Sequence, residues 1–174
     1  SVGADSVFDF DSGSTTFIKA FDVPVTTFTE CTFSAWVNFE TVTGTYQYVM
    51  GMGSSGPGNF MSISKNQNSG TWYTYTGSSS QPSATSPVAN RWYHVVVTQT
   101  GTTRRFYING IEDANSPFTV NALAIPYNNL TLGAYNNSSS ATPSVLYELD
   151  GQLSNVQVWD KKIEQADVTT LYNN

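Results

Sequence analysis

The chain has 174 residues, the length of one domain with a buried core, and no apolar run in it reaches a membrane span. Only 11% of residues are charged and the formal net charge is −6, which argues against nucleic acid and anionic membrane surfaces as partners. The single cysteine, Cys31, excludes an internal disulfide.

Ser, Thr, Asn and Gly fill places where a helical protein would carry Lys and Glu, a composition suited to strands and turns. The chain opens without Met on a strand-like segment, as a domain cut from a larger protein would. Val7 to Phe10 alternates as a first strand, and Thr15 to Lys19 is expected to pair with it across Asp11-Ser-Gly-Ser14. Phe21 to Phe28 contains Pro24 and reads as an edge or a connection. Phe33, Ala35, Val37 and Phe39 share one face of the next strand, with Ser34, Trp36 and Asn38 on the other. Strands are predicted over Tyr46 to Met52, Phe60 to Ser64 and Thr71 to Thr76. Gly77 to Pro87, rich in Ser, Pro and Gly, reads as a long surface loop.

Trp92 to Thr98 is apolar on both faces, with Trp92, His94 and Val96 on one side and Tyr93, Val95 and Val97 on the other. A central strand covered on both faces is the reading. Arg104 to Ile108 returns antiparallel to it. Asn109-Gly110 then gives the strongest short signal for a two-residue hairpin turn, because both positions tolerate positive φ. Ile111 to Val120 is poorly patterned, Asn128 to Gly133 and Tyr147 to Trp159 return to strand character, and Tyr135 to Pro143 forms a second polar loop between them. Ile163 to Leu171 is predicted as a short helix or turn. Regularly spaced short strands with turns between them are what a two-sheet sandwich produces.

Several of these segments carry a resemblance. Trp92-Tyr-His-Val-Val-Val-Thr98 followed by Phe106-Tyr-Ile-Asn-Gly110 resembles the laminin-G-like family of the concanavalin A-like jelly rolls. Phe33-Ser-Ala-Trp-Val37 resembles an early strand of that family. Leu130-Thr-Leu-Gly133, Leu149-Asp-Gly-Gln-Leu-Ser-Asn-Val-Gln-Val-Trp159 and the tail Lys162 to Tyr172 resemble its closing strands and terminus. The pieces stand in family order and span most of the chain. They imply an all-β fold, an antiparallel two-sheet jelly-roll sandwich of the concanavalin A-like type, in one domain over residues 1–174.

Enzymatic chemistry finds little footing. A glycoside hydrolase needs two carboxylates about 5–9 Å apart. The glucanase relatives carry Glu-x-Asp-x-x-Glu, whereas here Glu148-Leu-Asp150 is followed by Leu153 at the third position. Ser-His-Asp chemistry would have to use His94, whose apolar neighbours favour a core role. Cys31, at the start of a strand, reads as a buried, inert thiol. The expectation is a protein that is not an enzyme.

Recognition has more support. Sugars are held by aromatic faces, with amides and hydroxyls reading their hydroxyl groups. Thr71 to Thr76 puts Trp72 on one strand face and Tyr73 and Tyr75 on the other, so at least one aromatic points away from the core whichever face is buried. Tyr46, Tyr127, Tyr135 and Tyr147 stand in neighbouring loops beside many Asn and Ser. These seven form the candidate ligand-binding set. Covering the sandwich surface is the plainer role for any one of them, and the same aromatics would serve a protein partner equally well. Asn129, Asn136 and Asn137 begin N-glycosylation-type triplets.

The resemblance also implies a structural calcium. Asp9, Asp11 and Asp150 are the candidate metal ligands, although Ser154 stands at the family's usual acidic position. Otherwise no cofactor is expected. The leading expectation is a non-catalytic, lectin-like module for neutral glycan on an extracellular, cell-surface or virion-surface protein, without membrane insertion. A structural or adhesive protein-binding domain of a fibre, tail or surface assembly comes second, and a glycoside hydrolase third.

Overall fold

The computed structural model describes residues 7–11, 16–20, 29–53, 60–123, 130–136 and 145–174. Two antiparallel sheets face each other. The first runs β1 (Phe8–Phe10), β15 (Gly151–Trp159), β3 (Glu30–Phe39), β8 (Trp92–Thr100), β9 (Thr103–Ile108) and β10 (Ile111–Glu112), with β11 (Phe118–Thr119) also paired to β9. The second runs β2 (Ile18–Ala20), β12 (Leu130–Leu132), β4 (Gln47–Gly53), β5 (Phe60–Lys65), β6 (Trp72–Tyr75) and β7 (Ser80–Pro82). A small ladder joins β13 (Tyr135–Asn136) to β14 (Val145–Leu146), and a helix, α1, spans Gln165–Asn173. This is the jelly-roll sandwich that the alternating strands predict.

The main core lies between the sheets. Phe33, Ala35, Val37 and Phe39 of β3 and Tyr93, Val95 and Val97 of β8 enter it from one side. Met50, Met52, Met61, Ile63 and Trp72 enter from the other. The second apolar face of β8 is covered too. Val96 packs with Tyr107, Ile163 and Val168 beneath α1. The ring of Tyr172 stacks on Trp36, with centroids 5.7 Å apart. A strand apolar on both faces thus sits in the middle of its sheet with a sandwich core on one side and a helix on the other.

The Asn109-Gly110 turn forms as expected, with φ of 51° and 80°, and joins β9 to β10. It also docks α1, because the Gly110 carbonyl accepts from Gln165 Nε2 at 2.7 Å. The helix begins with a capping box, Asp167 accepting from the Glu164 N–H at 3.0 Å.

Two expectations are corrected. β1 and β2 do not pair with each other: β1 pairs with β15 in the first sheet and β2 with β12 in the second. A three-residue strand gains more from a distant partner with a buried face than from a local hairpin exposed on both sides. The stretch from Gly77 to Pro87 is not all loop, since Ser80–Pro82 adds β7 to the second sheet as an edge strand. Residues 21–28, expected as an edge or connection, lie outside the described residues.

Candidate functional site

The outer face of the second sheet carries a cluster of aromatic rings. Strand alternation puts it there. On β5, Met61 and Ile63 turn into the main core, so Phe60, Ser62 and Ser64 face away from it. On β6, Trp72 turns inward and Tyr73 and Tyr75 outward. Tyr48 of β4 joins the outer cluster, where a register shift between Tyr48 and Met50 interrupts the alternation. Gly51 makes room for Phe60, since a Cβ there would lie 2.7 Å from the Phe60 ring.

Tyr135 and Tyr147 close over this layer from the β13–β14 ladder. Tyr48 and Tyr135 have centroids 4.8 Å apart, Phe60 and Tyr135 5.3 Å, Tyr46 and Tyr73 5.6 Å, and Tyr46 and Tyr147 5.2 Å. Phe60, Tyr48, Tyr73 and Tyr135 are buried beneath, while Tyr46 and Tyr75 are half-buried and Tyr147 is 37% exposed. Burial pushes the phenols of Tyr48, Tyr73 and Tyr135 above the usual tyrosine range, so their hydroxyls stay neutral.

Tyr147 has a φ of 59°. The other described non-glycine residues with positive φ are Asn90, Asn109 and Asn155, of the type that adopts this conformation readily. A bulky ring held there stores on the order of 1–3 kcal/mol of strain, a feature that clusters at binding sites. The Tyr147 carbonyl accepts from the Tyr48 N–H at 3.1 Å, which anchors it to the second sheet.

Five of the seven tyrosine and tryptophan candidates therefore meet: Tyr46, Tyr73, Tyr75, Tyr135 and Tyr147. Trp72 is a correction. It is 0% exposed in the main core between Phe39 and Tyr93, with centroids 5.2 and 5.6 Å away, and offers no face to a ligand. Tyr127 lies outside the described residues. Sequence reasoning missed Tyr48 and Phe60. Of the three glycosylation-type asparagines, Asn136 is buried, and Asn129 and Asn137 lie outside the described residues.

Residues 12–169 match the laminin-G model of the concanavalin A-like lectin/glucanases superfamily. The chain belongs to that superfamily. A search of the curated proteins finds no match. Among solved structures, the native heptameric SAP-like pentraxin of Limulus polyphemus is similar at TM-score 0.75 and 17% identity, over 97% of this chain and 82% of that one. A Bacteroides ovatus protein provisionally assigned to carbohydrate binding matches at 0.70 and 19%, over 95% of this chain and 46% of that one. Trypanosoma rangeli sialidase matches at 0.61 and 20%, over 82% of this chain and 22% of the enzyme. The likeness is one of fold, and the chain spans less than half the length of the last two proteins.

As a lectin/glucanase-superfamily member, the chain must also be read for carboxylate pairs and metal ligands. Asp9 lies on β1 opposite Gln152, and Asp11 follows one residue beyond the Phe10–Gly151 pair. Asp150 is engaged on every side: its Oδ2 accepts from Thr41 Oγ1 at 2.7 Å, its N–H donates to Gln47 Oε1 at 3.0 Å, and its carbonyl accepts from the Glu40 N–H at 2.9 Å. Among the described residues no group of three or more His, Cys, Asp or Glu side chains could hold a metal ion. Asp9, Asp11 and Asp150 are thus not gathered into one carboxylate cluster among the described residues.

His94 is 2% exposed, its Nε2 2.9 Å from Ser34 Oγ and its ring against Trp36 and Tyr172. Burial pushes its pKa down to about 4, and among the described residues nothing hydrogen-bonds its Nδ1. A triad histidine would have a carboxylate there. Cys31 is buried, and burial pushes its thiol up to about 12, far from a nucleophile's range. Among the described residues, no helix is long and apolar enough to cross a membrane.

Proposed function

We propose that the chain is a non-catalytic carbohydrate-binding module of an extracellular or surface protein, and that it takes a neutral glycan against Tyr46, Tyr75 and Tyr147. The observation that carries this reading is the tyrosine surface on the outer second sheet, with a strained, exposed Tyr147 at its edge. Partly exposed phenol rings above a fixed aromatic layer suit the C–H faces of a pyranose, and rings already held in place lose little entropy on binding. The Bacteroides ovatus fold neighbour and the lectins of the superfamily agree with it. The sequence carries no Glu-x-Asp-x-x-Glu strand and, among the described residues, no carboxylate bonds His94 Nδ1, which favours binding over hydrolysis.

Glycan-array screening, with and without calcium, tests the reading. Neutral glycans are expected as hits, with single-module Kd on the order of 10⁻⁴ to 10⁻³ M, and Tyr147→Ala and Tyr46→Ala are expected to abolish them while leaving the fold intact. An array without hits, or hits untouched by both variants, would sink it. The protein-binding alternative has its own surface. A groove of about 400 Å³ between the Asn109-Gly110 turn and α1 is lined by Ile111, 73% exposed, and Tyr172. Capture of a protein partner abolished by Ile111→Asp would move that reading to first place.

A further inference from the structure

The β5–β6 ladder stops after two pairs, Ser64 with Tyr73 and Lys65 with Trp72. The same register continued would set Tyr75 opposite Ser62, yet no pair forms there. The Tyr75 N–H donates instead to the Ser62 hydroxyl at 3.0 Å. The strands have parted at the point where Phe60 and Tyr75 present their rings, 5.9 Å apart, to the outer face.

Arg104 fills the gap from inside. It projects from β9 of the facing sheet and is 0% exposed. Its Nη1 donates to the Tyr75 carbonyl at 2.9 Å and the Thr74 hydroxyl at 2.8 Å, and its Nη2 donates to the Phe60 carbonyl at 3.1 Å. Its Nε donates to Gln99 Oε1 at 2.7 Å, which holds the stem. All four acceptors are neutral oxygens. Among the described residues no carboxylate forms an ion pair with Arg104, and a buried cation so placed carries a desolvation penalty of several kcal/mol, so it makes a poor choice for stability alone. What only a planar guanidinium supplies is a rigid fork reaching two carbonyls at a fixed separation.

We propose that Arg104 is the positioning residue of the aromatic face: it bridges the Phe60 and Tyr75 carbonyls where ladder rungs are missing, and so sets the gap between β5 and β6 and the placement of both rings. The consequence for ligand binding rests on the glycan reading above, whereas the bridge itself does not.

Arg104→Lys and Arg104→Met are compared with the wild type by far- and near-ultraviolet circular dichroism, exchange of the Tyr75 amide, and electrophoresis through gels holding neutral β-glucan, galactan or mannan. Lysine keeps the charge and loses the fork. With the far-ultraviolet spectrum retained, the Tyr75 amide is expected to exchange faster by about tenfold or more, the tyrosine bands to change, and retention to fall several-fold in any gel that retains the wild type. Unchanged exchange and tyrosine bands in Arg104→Lys overturn the proposal. If neither variant folds, nitrogen-15 spectra of the wild type decide. Separate, slowly exchanging Arg104 Nη resonances that shift when fragments of the retaining polysaccharide are added support the bridge, and averaged Nη resonances overturn it. A wild type retained by no gel would defeat the glycan reading, and the exchange and dichroism arms would still decide the role of Arg104.

Discussion

Gly110 lies directly against the ring of Tyr172: a Cβ on Gly110 would stand 3.1 Å from Tyr172 Cδ1. The turn therefore has two reasons to be glycine, its φ of 80° and the helix seated on it. Gly110→Ala is expected to lower stability by about 1–2 kcal/mol, from the left-handed backbone and the crowded ring together. Tyr172→Ala in the same background should recover only the crowding share. Urea unfolding of the two single variants and the double variant measures the coupling. Strictly additive losses would show that the contact carries no energy.

The sandwich was legible where the pattern had period two and length. Phe33 to Phe39 repeats its apolar face four times, and Trp92 to Thr98 announced two covered faces, which the core and α1 supply. Strand partners were not legible for Phe8–Phe10 and Ile18–Ala20, because three residues carry no register and their partners lie more than a hundred residues on. The parity of Thr71 to Thr76 separated Trp72 from Tyr73 without saying which side was core. Tyr48 was hidden by a bulge that breaks its alternation with Met50 and Met52. Arg104 opens the returning strand to Ile108 and shares a strand face with Phe106, which is core. That shared parity was the signal for a buried arginine.

His94 predicts an acid transition. Its folded pKa is pushed down to about 4 from 6.5, so between these values the unfolded chain binds the proton and the folded protein does not. Its contribution is fully present above pH 6.5 and is lost as pH falls towards 4. A shift of this size corresponds to roughly 3 kcal/mol. Below the usual carboxylate range Glu30 adds to the loss, since its bonds to Thr100 and Lys162 hold its pKa down. Urea midpoints measured across this window should fall in the wild type and stay nearly level in His94→Gln. Parallel curves would place the titration elsewhere.

Calcium is expected to do little. Among the described residues Asp9, Asp11 and Asp150 do not come together as a group of three carboxylates, and the side chain of Asp150 is bonded to Thr41. The Tm should be the same in excess chelator and in millimolar calcium. A rise of several degrees that disappears in Asp11→Asn would show a bound ion linked to folding.

Tyr147 allows strain and ligand contact to be measured separately. Glycine in place of alanine ordinarily destabilises a folded chain by roughly 0.5–1 kcal/mol through backbone entropy. At a φ of 59° the order should reverse, because alanine keeps the Cβ that opposes the left-handed conformation and glycine does not. Tyr147→Gly is therefore expected to be more stable than Tyr147→Ala by about 1 kcal/mol, read from urea midpoints at equal slope. Both variants lack the ring that meets Tyr46, Tyr48 and Tyr135, so both should lose glycan binding to the same extent. Alanine proving the more stable of the two would mean that the backbone relaxes once the ring is gone. Binding that survives in either variant would take Tyr147 out of the ligand surface.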